Sequence, residues 1–453
     1  LSTGDILVVS SGATVNATNI SNFVATSATS NRGVANLTAG SSGSTITVTN
    51  STSGGYNLFG GSGIDILTGD TDADTIDGGG SADTLTGGAG NDVYLFDTGD
   101  VVSGEYITEA ASGGTDAVAI VTTTDFTNIT TDSFNEIDEI RFAGAAQTGT
   151  VTGAQLTGET IVLTETVAGI SNLIINVDAG STVNFANLTA TTFTIGSDIV
   201  TINVVAGNAN ITFPNFAVTL NIGSGAGDDN LTGGSGPDTL DGKGGNDTID
   251  GKAGADTLIG GSGNDVFLFN TGDVANGETI TEAAGGGTDV IAIVTTTDFA
   301  NMPAASFDEI EEIRFVGANQ TGTFKGTQFT GEGLVLTETG AGTSNLIINV
   351  ETGTTATFLN LTATSFASGS DTITINGAGG NETITAPNLA TTINAGNGDD
   401  IIDGGAGSDT LAGGAGDDVY IFNTSDVPSG ESITDTGGSA DVVAIVTTTD
   451  FAN

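Results

Sequence analysis

An aspartate returns every ninth residue in three separate stretches of this chain, each time with a large apolar residue two positions later. The first stretch reads GGSGIDILT, GDTDADTID, GGGSADTLT, GGAGNDVYL from Gly60. The second runs from Ser224 as SGAGDDNLT, GGSGPDTLD, GKGGNDTID, GKAGADTLI, GGSGNDVFL, and the third from Ala395 as AGNGDDIID, GGAGSDTLA, GGAGDDVYI. The shared pattern is Gly-Gly-x-Gly-x-Asp-x-U-x, with U large and apolar. Gly/Asp-rich segments are often disordered linkers, but linkers have no reason to keep strict spacing or a fixed apolar position. A phosphate-binding loop is also a poor match, because no Lys-Ser/Thr follows and no helical pattern begins.

These nonapeptides resemble the RTX (repeats-in-toxin, haemolysin-type) calcium-binding family, and the resemblance covers about a quarter of the chain. One nonapeptide reads as a six-residue turn and a three-residue strand. The glycines permit positive φ and close backbone approach. The x-U-x tripeptide is too short to stand alone but can pair with copies above and below it. Two nonapeptides then form one eighteen-residue coil with turns on alternating edges. The inward ladder is Leu67, Ile76, Leu85 and Tyr94, then Leu231, Leu240, Ile249, Leu258 and Phe267, then Ile402, Leu411 and Tyr420. With one apolar residue in nine, burial alone struggles against chain entropy.

A cation is the expected stabiliser. Stacked turns offer carboxylates and backbone carbonyls, an all-oxygen set suited to Ca²⁺ with its six to eight ligands. Mg²⁺ fits less well because it demands strict octahedral geometry, and zinc would want nitrogen or sulfur. The expected metal ligands are Asp65, Asp74, Asp83, Asp92, Asp229, Asp238, Asp247, Asp256, Asp265, Asp400, Asp409 and Asp418. Alternating edges group residues eighteen apart: Asp65 with Asp83, Asp74 with Asp92, Asp229 with Asp247 and Asp265, Asp238 with Asp256, and Asp400 with Asp418. Asp409 has a weaker neighbour. Asp72 occupies a glycine position and makes the turn at Asp74 irregular. Glu382, in the degenerate turn GAGGNETIT, is not counted as a ligand. Pro237, Lys243 and Lys252 fall at variable positions.

The 453 residues carry 6 Lys plus Arg against 55 Asp plus Glu, a formal charge of −49. Such a chain is repelled by nucleic-acid phosphates and by anionic membranes. No apolar run approaches bilayer length, so membrane insertion is not expected. Cys and His are absent, which removes disulfides, thiolate zinc sites, Ser-His-Asp triads and histidine-ligated metals. No signal peptide is visible.

A longer repeat encloses the short one. VAIVTTTDF at 118–126 returns as IAIVTTTDF at 291–299 and as VAIVTTTDF at 443–451, and SNLIINV at 171–177 recurs at 344–350. The chain is expected to be a window on a longer tandem array. The sequence divides into the end of a β-rich spacer (1–51), a first repeat block (52–96), a spacer (97–223), a second block (224–268), a spacer (269–394), a third block (395–421) and the start of another spacer (422–453). The spacers carry short Val/Ile/Thr-rich runs such as ETIVLTET, NLIINV and DIVTINVV, which alternate apolar with polar and read as strands. Only TDSFNEIDEI and AASFDEIEEI hint at a turn of helix. The fold expected is all-β, a parallel β-solenoid in which calcium-bound β-roll blocks alternate with irregular β-rich spacers; β-sandwich spacers are the alternative. Arg141 and Arg314 are expected to pair locally with neighbouring acids.

No catalytic motif is present, so an enzyme is not expected. Interleaved blocks and spacers resemble large bacterial RTX surface proteins. That resemblance implies a secreted, extracellular structural protein that self-assembles into a surface layer or filament, exported by type I secretion and folded by external calcium. The alternatives are an adhesin that binds glycans or host surfaces, and the secretion tail of a larger enzyme.

Overall fold

A three-residue strand survives only when its neighbours satisfy its backbone, and here they do so at a fixed interval. Ile66–Thr68 pairs in parallel with Thr45–Thr47 on one side and with Thr84–Thr86 on the other. Thr75–Gly79 pairs with Asn57–Gly61 and with Val93–Phe96. Register places like on like: Ile46, Leu67, Leu85 and Ile107 form one column, and Leu58, Ile76, Tyr94 and Val118 another. Every one of these eight residues is buried. Among the described residues, every pairing between strands is parallel, so the fold is an all-β parallel β-solenoid.

The computed structural model describes residues 1–110, 113–193, 198–204, 207–216, 219–222, 227–284, 286–340, 342–366, 370–424, 426, 430–438 and 440–447, with backbone alone for 219–222. Two compact units emerge, Leu1–Gly223 and Ser224–Asn453. Residues 224–226, at the start of the second repeat block, lie outside the described residues.

In Leu1–Gly223 a long sheet passes through Val34–Ala39, Asn57–Gly61, Thr75–Gly79, Val93–Phe96, Ala117–Ile120, Glu139–Phe142 and Val162–Glu165. It crosses from the repeat block into the spacer without a break, so the spacer continues the solenoid and is not a sandwich. The same holds in Ser224–Asn453, where Thr248–Asp250 and Val266–Phe269 lead into Val290–Ile293, Glu312–Phe315 and Val335–Glu338.

Coil length distinguishes block from spacer. Contacts between stacked turns span 18 residues within the blocks. After each block they widen to 22 to 28 residues through most of the spacer, returning to 18 just before the next block. The wider coils are filled by phenylalanine. Phe96 meets Phe126 edge-on with ring centroids 5.2 Å apart, and Phe299 stacks on Phe324 at 4.6 Å. Such pairs stabilise beyond the area they bury. The expected helical hints are 3-10 turns at Thr131–Phe134 and Ala304–Phe307. A short α-helix at Gly153–Leu156 was not expected; Thr152 and Gln155 form a reciprocal capping box at its start. The buried Gln155 Nε2 donates to the carbonyls of Phe126 (2.8 Å) and Ile129 (2.9 Å), and Gln328 repeats this on Phe299 and Met302. A buried amide must be satisfied in this way, and here it pins the wide loop to the core.

Candidate metal centre

Each nonapeptide turn tucks its aspartate inward, beneath the turn of the next coil. All twelve sequence-expected ligands are buried. They stand in columns, linked by hydrogen bonds from the backbone N–H of one aspartate to the carboxylate of the next. Asp65 N–H donates to Asp83 Oδ1 at 2.7 Å, and Asp74 N–H to Asp92 Oδ1 at 2.6 Å. In the second block Asp229 donates to Asp247 and Asp247 to Asp265, both at 2.7 Å, while Asp238 donates to Asp256 at 2.8 Å on the other edge. In the third, Asp400 donates to Asp418 at 2.9 Å, and Asp409 Oδ1 accepts from Thr391 N–H at 2.8 Å. The eighteen-residue groupings are therefore direct neighbours in space.

In eight of the twelve, one carboxylate oxygen is held by a backbone N–H and the other is not. Oδ2 of Asp83, Asp92, Asp247, Asp256, Asp265, Asp400, Asp409 and Asp418 is buried and accepts no hydrogen bond. Leaving a buried anionic oxygen unsatisfied costs several kcal/mol, on the order of the desolvation penalty of an ion. The basic side chains do not relieve it. The four ion pairs among the described residues join Arg141 to Glu139, Arg314 to Glu312, Lys243 to Asp241 and Lys252 to Asp250, none of them a column aspartate. Burial instead pushes Asp74, Asp83, Asp247 and Asp409 up to about 7, and Asp92, Asp256 and Asp400 up to about 6, from an ordinary 3.8. A row of orphaned, hard oxygen donors with no nearby cation of the protein's own fits calcium. Once bound, the ion would supply the positive charge and the coordination these oxygens lack.

The glycines leave room for that arrangement. A β-carbon at Gly69 would strike Asp74 Oδ2 and the carbonyl of Gly87. At Gly78 it would come within 2.7 Å of Asp83 Oδ2.

The irregular turn behaves differently. Asp70 is buried, and its N–H donates to Asp74 Oδ2 at 2.8 Å, while Asp72 N–H donates to Asp70 Oδ1 at 2.8 Å. Both oxygens of Asp74 are thus engaged, since Oδ1 accepts from Tyr56 N–H at 2.6 Å. Asp72 bridges out to Gly54 N–H at 2.7 Å.

Several column members were missed by the nine-residue reading. Glu382, which the nonapeptide pattern does not count as a ligand, is buried; its N–H donates to Asp400 Oδ1 at 2.7 Å, and its Oε2 has no partner. Glu105, Glu278 and Glu431 extend the columns by accepting from Asp83, Asp256 and Asp409 at 2.9, 2.9 and 3.1 Å. Burial pushes Glu105 and Glu278 up to about 8. Asp116 and Asp289 likewise accept from Asp92 and Asp265 at 2.8 Å. A signal was available: GEYITEA at 104–110 returns as GETITEA at 277–283 and GESITDT at 430–436.

A family model described as the RTX calcium-binding nonapeptide repeat, four copies, matches residues 59–94, 224–258, 241–273 and 389–420. The chain carries RTX repeats. These RTX segments contain all twelve expected aspartates, and RTX nonapeptides bind calcium. They imply a calcium-binding extracellular repeat protein. No curated protein matches the chain. No helix among the described residues is long and apolar enough to cross a membrane.

Outside the RTX columns Arg141 and Arg314 are locally engaged. Arg141 Nε and Nη2 donate to Glu139 at 2.8 and 2.5 Å, and Arg314 repeats this on Glu312 at 2.7 and 3.0 Å. Burial works to raise Glu139 and Glu312, but hydrogen bonds from the arginines and from Thr164 and Thr337 hold both below the usual carboxylate range. Each pair sits on one strand at i and i+2 and needs no second molecule.

Proposed function

We propose that this chain is a non-catalytic structural element of a bacterial cell surface, built into a surface layer or filament whose coils are stiffened by calcium. The supporting observation is repetition of one module. Val93–Phe96, Ala117–Ile120 and Glu139–Phe142 stack in the same way as Val266–Phe269, Val290–Ile293 and Glu312–Phe315. Glu105 and Asp116 recur as Glu278 and Asp289, and the Arg141–Glu139 pair as Arg314–Glu312. Repetition of this kind extends a coil; it does not assemble one unique reaction centre. Export through a type I route as an unfolded, acidic chain, followed by folding in millimolar external calcium, agrees with columns whose charge needs a metal.

The test is assembly of the purified chain under a calcium titration, followed by sedimentation and negative-stain microscopy. Ordered sheets or filaments should form at millimolar calcium and dissolve on chelation. Monodisperse single chains at saturating calcium would overturn the assembly role.

A further inference from the structure

Each RTX block ends in a carboxylate cluster that lies partly outside the nine-residue pattern. After the first block Asp92 meets Glu109 and Asp116, with one oxygen from each lying within 4.8 Å of the others. Asp265, Glu282 and Asp289 do the same after the second block, and Asp418, Asp435 and Asp441 after the third. Acids gathered in this way repel one another, so the grouping by itself says little. Two further observations point to a ligand. Asp92, Asp265 and Asp418 are fully buried at 0% exposure, and Oδ2 of each has no hydrogen-bond partner. In the first two clusters that oxygen faces a space kept clear by a glycine. A β-carbon at Gly87 would strike both Asp92 Oδ2 and Glu109 Oε1, and one at Gly260 would strike both Asp265 Oδ2 and Glu282 Oε1.

The remaining hydrogen bonds orient the donors. Asp116 and Asp289 are held through Oδ1 by the N–H of Asp92 and Asp265, and Asp441 by that of Asp418 at 3.1 Å. The Tyr94 hydroxyl donates to Glu109, and the Tyr420 hydroxyl to Asp435 at 3.2 Å. In the second cluster Phe267 stands in the tyrosine's place, and Glu282 accepts from the N–H groups of Gly260 (3.0 Å) and Gly261 (3.2 Å).

We propose that each cluster is a separate divalent-cation site, taking calcium on three carboxylates and closing the block against the spacer coil that follows. Its ligands come from a nonapeptide turn, from the end of the first spacer strand (Thr108 precedes Glu109) and from the entry to the second (Asp116 precedes Ala117). One ion would therefore tie three successive chain segments, which no ion shared only by nonapeptides can do. Three formal negative charges at one site favour tight binding of a hard cation. The proposal rests on calcium binding by the RTX blocks.

The test counts calcium bound to the full chain by equilibrium dialysis. Glu282→Gln with Asp289→Asn should bind one ion fewer than the unmodified chain while keeping its β-type circular dichroism. Glu109→Gln with Asp116→Asn should do the same. A folded double variant with an unchanged count overturns the closing site and leaves calcium binding by the blocks intact. An unmodified chain that binds no calcium sinks the block reading and the proposal with it. Should the double variants not fold, Glu282→Gln alone decides, since its side-chain oxygen can still accept from Gly260. It should lose one ion at submillimolar calcium, and an unchanged count there refutes the site.

Discussion

Acid should partly substitute for calcium in folding this chain. Asp74 shows why. Buried beneath its neighbouring turn, its carboxyl sits at about 7 in the folded chain against an ordinary 3.8. A folded-state value raised above the unfolded one means that the unfolded chain gives up its proton first as pH rises. Stability from the protonated group is therefore complete below about pH 3.8 and is lost progressively as pH climbs through 7. At pH 7.5 without metal, Asp74 alone disfavours the folded state by about 4 kcal/mol, and at pH 5 by about 2 kcal/mol. Asp83, Asp247 and Asp409 share the direction and the value, so the combined penalty is comparable with the whole stability of a typical domain, roughly 5–15 kcal/mol. The assay is far-ultraviolet circular dichroism and thermal melting at both pH values, in calcium and in EGTA. In EGTA at pH 7.5 the β signal should collapse. In EGTA at pH 5 a substantial part should return, and in calcium the chain should be folded at both. A metal-free chain that is equally folded at pH 7.5, or is less stable at pH 5 than at 7.5, refutes the reasoning.

Three further outcomes follow from the same geometry. Asp247→Asn should lower the melting temperature in calcium yet raise that of the metal-free chain at pH 5, where part of the fold is present, because it removes a ligand and a buried ionisable group together; opposite signs in paired melts check it. Ser81 sits at φ +104, a conformation that favours glycine, so Ser81→Gly should stabilise the calcium form by about 1 kcal/mol, less whatever its hydrogen bond to the Ser62 carbonyl contributes; chemical denaturation in calcium measures it. Leu85→Ala opens a hole in a column with no spare apolar neighbours and should cost roughly 2–5 kcal/mol, read from the same denaturation curves.

The nonapeptide core was legible because two rules act on the same residues. Glycine marks each turn, and the position two after aspartate must point inward if three-residue strands are to stack. The inward ladder from Leu67 to Tyr420 and the eighteen-residue aspartate columns follow from those rules alone. Glu105, Glu109 and Asp116 did not, although they belong to the same carboxylate columns and clusters. They enter from longer loops, at offsets of 22 and 24 residues from Asp83 and Asp92 for Glu105 and Asp116, and loop length is set by tertiary packing that no local pattern records. Their trace is long-range recurrence, of GEYITEA for the two glutamates and of GGTD at 113–116 and 286–289 for Asp116, which a nine-residue period does not contain.

The change in coil length also explains why the columns end where they do. An eighteen-residue coil encloses one apolar side chain on each face, too little to hold it without an ion. A coil of 22 to 28 residues has room for Phe126, Phe134 and their equivalents Phe299 and Phe307, all buried. Full burial of each such ring contributes roughly 1.5–3 kcal/mol. Aromatic burial thus takes over from carboxylate and cation within one or two coils, with the backbone ladder unbroken across the change. The ion-dependent and ion-independent parts of the solenoid therefore share one sheet. On chelation, loss of structure should begin in the RTX coils and reach the spacers only through that shared ladder, leaving amides of Glu139–Phe142 protected from hydrogen exchange longer than those of Thr84–Thr86.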